Sequence, residues 1–149
     1  MKQEKTVAGT STKGLVTKLG IKSGQTILFI NPPGDYSSDL GPLPDNVTLK
    51  SDLEGGFNVI QLFTKHKSEL QEKLPLLKAS LVDKGMIWVS WPKKASGVDT
   101  DITEDVIREI ALPQGLVDIK VCAVNDTWSG LKLVTRKTPA RAAKASRAD

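Results

Sequence analysis

The chain is poor in the side chains that most often carry chemistry. It has one cysteine, Cys122, and one histidine, His66. A lone thiol forms no internal disulfide, which fits a reducing, cytoplasmic setting. One Cys and one His also fall short of the usual zinc ligand set, so no metal site is expected. No apolar run approaches the ~18 residues that span a bilayer. Polar Met1–Lys5 leads into no apolar stretch, so neither a membrane span nor a signal peptide is expected.

An excess of one charge sign is also missing from most of the chain. The formal net charge is +4, but Lys137, Arg141, Lys144 and Arg147 against Asp149 supply +3 of it within residues 137–149. The remainder is close to neutral, so overall basicity gives no ground for a nucleic-acid groove there. What is present, 149 residues with 39% apolar and 26% charged side chains, suits one globular domain with a real core. The expected organisation is a flexible arm over 1–13, a single α/β domain over 14–136, and a disordered basic tail over 137–149.

Strand and helix signals alternate between those ends. Leu15, Val16 and Leu19 form a short helical approach closed by Gly20. Gln25–Ile30 is a continuous apolar run stopped by Asn31-Pro32-Pro33-Gly34. Val47–Lys50 is a short strand candidate and Phe57–Phe63 a stronger one. A helix is predicted over Ser68–Val82, with Ser68 as cap and Leu70, Leu74, Leu77 and Leu81 as its apolar stripe, although Pro75 removes one donor. Met86–Trp91 is the next strand, and Thr103–Ala111 a helix capped by Thr103 and stapled by Ile102 onto Ile107. Val117–Val124 reads as a half-exposed strand with Val117, Ile119, Val121 and Ala123 on one face, pairing with Gly130–Thr135 in a hairpin. Continuous apolar strands separated by helices imply an open, mainly parallel, doubly wound sheet covered on both faces. The closing hairpin adds antiparallel strands.

From Phe57 onward the order resembles the C-terminal half of class I methyltransferases. Phe57–Phe63 resembles their fourth strand, Leu81–Trp91 the approach to their fifth, and 117–135 their closing pair. Those enzymes seat S-adenosylmethionine on a glycine-rich loop after the first strand, where this chain has Asn31-Pro32-Pro33-Gly34-Asp35-Tyr36. Only residues 31–56 stand where two or three strand-helix units are usual, so the resemblance implies a truncated, Rossmann-like version. Over residues 8–135 the phrases LGIKSGQ, GPLP, WVSWPKK, DITEDVIRE, VDIKVCAV and WSGLK resemble, in order, a small bacterial family classed as a domain of unknown function.

Ligands of open parallel sheets bind beyond the carboxyl ends of the strands. That rule gathers the loops Asn31–Tyr36, Thr64–Lys67, Trp91–Asp101 and Asn125–Ser129 on one rim. Their candidate ligand-binding residues are Asn31, Tyr36, His66, Trp91, Lys93, Lys94 and Trp128, aromatic plates with amide and cationic groups that suit a flat or anionic ligand. No catalytic residue is expected. Cys122 and His66 fall on strands three steps apart in methyltransferase order, roughly 14 Å at ~4.8 Å per step, beyond hydrogen-bond reach. Asp99, Asp101, Glu104 and Asp105 could suggest magnesium, but helix capping accounts for several of them. Gly9–Gly14 lacks the Lys-Ser/Thr ending of a phosphate loop.

The expectation is therefore a non-catalytic, methyltransferase-like domain that takes a small molecule or protein partner at the rim, with no cofactor. One alternative is an S-adenosylmethionine-dependent or other small transferase with an atypical first loop. Another is a nucleic-acid accessory protein making weak contacts through its basic tail.

Overall fold

The computed structural model describes residues 14–34 and 36–136. The arm expected over 1–13 and the tail over 137–149 lie outside the described residues. In chain order the elements are α1 (Leu15–Leu19), β1 (Thr26–Ile30), α2 (Tyr36–Leu40), β2 (Thr48–Lys50), β3 (Phe57–Phe63), α3 (Lys67–Ala79), β4 (Leu81–Pro92), α4 (Glu104–Ala111), β5 (Leu116–Ala123) and β6 (Trp128–Thr135). One six-stranded sheet runs β2-β1-β3-β4-β6-β5. Pairings from β2 through β4 are parallel, while β6 is antiparallel to both β4 and β5. This is the mainly parallel, doubly wound sheet with a closing hairpin that the sequence implies. Among the described residues between β1 and β3, the regular elements are α2 and the three-residue β2, in keeping with the short 31–56 segment.

The strands bury side chains on both faces because helices cover both. On one face Ile60, Leu62, Ile87, Val89, Leu131 and Leu133 pack under α3 and α4. On the other, Ile27, Val59, Phe63 and Trp88 pack under α1 and α2, with Trp88 Nε1 donating to the Leu19 carbonyl at 2.9 Å. Gly20 ends α1 in the left-handed region at φ 81°, where its N–H closes back on Thr17.

Three local expectations are corrected. Helix α3 starts at Lys67, with His66 rather than Ser68 at the cap position and no side-chain cap of its own. The reason is tertiary: Asp101 Oδ1 accepts the Lys67 N–H at 2.7 Å, so a neighbouring loop satisfies an end the sequence left to Ser68. Helix α3 also stops at Ala79. Leu81 leaves the stripe to begin β4, where it pairs with Phe57 before Val82–Gly85 bulges and Met86 resumes opposite Val59. Gly85 is required there, since a Cβ would stand 2.8 Å from the Phe57 carbonyl oxygen. Finally, β5 does not turn one apolar face inward. A register shift between Asp118 and Lys120 inserts an extra residue, leaving Ile119 and Val121 exposed on this edge strand. The helix expected at Thr103 agrees with the structure: Thr103 Oγ1 accepts from Val106 N at 3.2 Å, and Ile102 and Ile107 are buried together.

Candidate functional site

The carboxyl ends of β1, β3 and β4 and the β5–β6 turn meet on one edge of the sheet, the rim anticipated above. The chain leaves β1 toward β2 and leaves β3 toward β4, in opposite directions, so the gap between β1 and β3 is the switch point of the topology. A cleft of about 290 Å³ opens there, lined by Asn31, Phe63, Thr64, Lys65, His66, Glu69 and Trp128.

Each wall follows from a local feature. Asn31 ends β1 in the left-handed region at φ 58°, a conformation asparagine tolerates, and this turns its amide across the gap. Its Nδ2 donates to Glu69 Oε2 at 3.3 Å and to the Phe63 carbonyl at 3.4 Å. Thr64 is buried at the end of β3, and its hydroxyl donates to Glu69 Oε1. Glu69 lies in the first turn of α3, where the helix dipole favours a carboxylate. His66 N donates to Thr64 Oγ1 at 3.3 Å, and His66 itself is exposed. Trp128 stands edge-on to Phe63 with ring centroids 5.2 Å apart, held by Asn125 Oδ1, which accepts its backbone N–H at 2.8 Å.

The anticipated rim residues thus divide. Asn31, His66 and Trp128 come together at the switch point. Trp91 and Lys94 line a second, larger cleft of about 600 Å³ over the opposite face, with Val98, Asp99, Thr100 and Glu104 among its walls. Lys93 lies between the two, its N–H donating to the Thr127 carbonyl at 2.7 Å. Tyr36 is not at the rim surface. It is 3% exposed, lies edge-on to Phe29 and Phe63, and donates its hydroxyl to Gln61 Oε1, whose amide in turn donates to Ser90 Oγ at 3.0 Å. Burial pushes its phenol pKa well above the ordinary value.

Thr64 and Glu69 were not singled out in the sequence, where an acidic residue in a first helical turn reads as dipole compensation. Of the four carboxylates considered for magnesium, Asp99 lines the larger cleft and the other three have structural partners. Asp101 caps α3, while Glu104 and Asp105 pair with Arg108, which also holds Asp118 at 2.9 Å. Cys122 is half-buried on β5, three strands from the β3 end that carries His66, and lines neither cleft.

Comparison with known proteins assigns the chain. Residues 16–137 match the family described as a protein of unknown function, DUF3052. The chain belongs to DUF3052. No curated protein matches this DUF3052 chain in sequence. Its fold is similar to solved methyltransferases. A ribosomal protein L11 methylase from Lactobacillus delbrueckii subsp. bulgaricus aligns at TM-score 0.53 and 12% identity, covering 83% of this chain and 76% of the other. Precorrin-6y C5,15-methyltransferase from Geobacter metallireducens GS-15 aligns at 0.54 and 12%, covering 81% and 85%. Magnesium protoporphyrin IX methyltransferase from Synechocystis PCC 6803, solved with bound SAM, aligns at 0.53 and 13%, covering 83% and 74%. At such identities the likeness is one of fold. No helix among the described residues is long and apolar enough to cross a membrane.

Proposed function

We propose that this DUF3052 chain is a non-catalytic, methyltransferase-like domain that binds a small molecule at the switch-point cleft. The observation that carries the reading is the convergence of Asn31, His66, Glu69 and Trp128 on one opening between β1 and β3. Its volume sits at the small end of ligand pockets, which suits a compact occupant rather than a cofactor of S-adenosylmethionine's size. Trp128 offers an aromatic wall. The outer lone pairs of Glu69 and the exposed imidazole of His66 offer polar contacts.

The residues do not fit S-adenosylmethionine. Pro32 and Pro33 stand where the backbone would present N–H donors, and proline has none. The helix that follows is a single turn whose Tyr36 points into the core. Cytoplasmic placement, suggested by the single thiol, belongs to the same reading.

Calorimetry with S-adenosylmethionine, together with ligand-detected NMR on a library of small aromatic and heterocyclic acids and amines, tests this. No heat with S-adenosylmethionine is expected, while at least one fragment should show transfer that is weakened by His66→Ala, a variant whose melting temperature should stay within about 2 °C of wild type. One-to-one micromolar binding of S-adenosylmethionine overturns the non-catalytic reading. Fragments that bind wild type and His66→Ala alike place the site elsewhere.

A further inference from the structure

Four lysines crowd the face of the sheet under α1, at its β5–β6 end and away from both clefts. Lys120 and Lys132 sit directly opposite each other on the antiparallel pair β5–β6. The Lys132 ammonium lies 4.0 Å from where a Cβ on Gly20 would stand, at the end of α1, and Lys22 follows two residues later. Lys18 on α1 and Lys120 both act electrostatically on the Cys122 thiol, two residues along β5 from Lys120. Among the described residues the ion pairs are those of Arg108, on the other face of the sheet. Like charges directly opposite on neighbouring strands destabilise a sheet, and here a third cation stands beside the pair. Burial, then Lys120 and Lys22, holds the Lys132 ammonium pKa below its ordinary value. Overall charge conceals this cluster because carboxylates elsewhere cancel it.

We propose that Lys18, Lys22, Lys120 and Lys132 form a contact surface for the phosphate backbone of duplex nucleic acid, independent of base sequence. Neither cleft described above reaches these lysines, which favours an extended polyanion over a small phosphate compound. No aromatic side chain is exposed among them. Trp88, beneath the patch, is fully buried, and Trp91 and Trp128 lie at the opposite edge, so a single strand finds no stacking platform. Strand β6, which carries Lys132, runs on from Thr135 to Arg136 and then to the +3 segment 137–149 of the sequence. The surface extends the reach of that basic segment and does not depend on it.

The test is fluorescence anisotropy of the full chain with a labelled mixed-sequence DNA duplex across a salt series. The variants are Lys120→Gln/Lys132→Gln and, separately, glutamine at Lys137, Arg141, Lys144 and Arg147. Removing two phosphate contacts should reduce the log–log salt slope by about 1.8. Between 50 and 200 mM salt, wild type should therefore lose about 12-fold more affinity than the double variant. The same reduction should appear in the background of the four glutamines. Unchanged slope in the double variant, with binding abolished by the four glutamines, overturns the proposal and assigns contact to the 137–149 segment alone. Patch-dependent binding to anionic phosphatidylserine vesicles without duplex binding also overturns it, as does the absence of binding to either. Circular dichroism of each variant confirms that the comparison is between folded proteins.

Discussion

Replacing Tyr36 by phenylalanine removes one oxygen from the buried chain Tyr36–Gln61–Ser90 and leaves the packing in place. The ring keeps its edge contacts with Phe29, at 5.4 Å, and Phe63, at 4.8 Å. What is lost is the donor to Gln61 Oε1. Gln61 is fully buried and its amide is committed to Ser90 Oγ, so it cannot turn to find water. An orphaned buried acceptor costs about 1–3 kcal/mol. For a domain of this size that corresponds to a melting-point drop of roughly 3–12 °C. The alkaline behaviour supplies a second signature. The folded phenol titrates above the unfolded one, near pH ~10, so above that pH the unfolded state binds fewer protons and stability falls. This tyrosine contributes up to ~1.4 kcal/mol per pH unit to that fall, and the phenylalanine variant lacks it. The gap between the two proteins should therefore narrow as pH rises past ~10. Urea titrations at neutral and alkaline pH measure both effects. The double variant Tyr36→Phe/Gln61→Met should lose less than the sum of the singles, because donor and acceptor leave together. A single variant as stable as wild type at neutral pH, with parallel curves up to pH ~11, would refute the buried chain and return Tyr36 to the rim.

Gly130→Ala should lose about 1–3 kcal/mol by overpacking. The added Cβ would stand 3.1 Å from Trp88 Cε3, and that indole is held by its bond to the Leu19 carbonyl. An unchanged urea midpoint would mean the ring has slack. Arg108 holds the Asp118 carboxyl below its ordinary range, so the stabilisation is present above the unfolded carboxylate pKa and disappears as pH falls through the lower folded value. Asp118→Asn should flatten that acid limb, and superimposable acid unfolding curves would count against the pair. Lys93→Ala/Lys94→Ala should leave stability within about ±0.5 kcal/mol, measured by thermal melting. A larger loss would show that these side chains hold the β4 exit in place.

The parts of the fold legible in the sequence are those where neighbouring residues decide the outcome. The runs at Gln25–Ile30, Phe57–Phe63 and Met86–Trp91 are mostly apolar, without strict alternation, because both sheet faces are covered, and they became β1, β3 and the buried part of β4. Thr103 caps α4 with its own side chain, a local act visible as spacing. The misreadings arise where distant residues intervene. Asp101 caps α3 from the next loop, Phe57 draws Leu81 out of the helix, and the extra residue at Ile119 reverses the apparent face of β5. At the rim, the topology rule identified the loops but not the side-chain directions. Tyr36 turned inward because Gln61 offered its hydroxyl an acceptor, and Trp91 and Trp128 fell on opposite faces of the sheet.

The irregularity in β5 also bears on strand pairing at the edge of the sheet. An edge strand of eight residues with exposed Ile119 and Val121 has the composition of a template for intermolecular pairing. The extra residue between Asp118 and Lys120 breaks the straight row of backbone donors and acceptors that an incoming strand would need. Lys120 adds a charge at the same point, and two copies meeting edge to edge would bring their lysines together. The opposite edge, β2, is only three residues long and offers little to pair with. Both edges of the sheet are thus poor templates for an incoming strand, β2 by its brevity and β5 by a kink with a charge beside it.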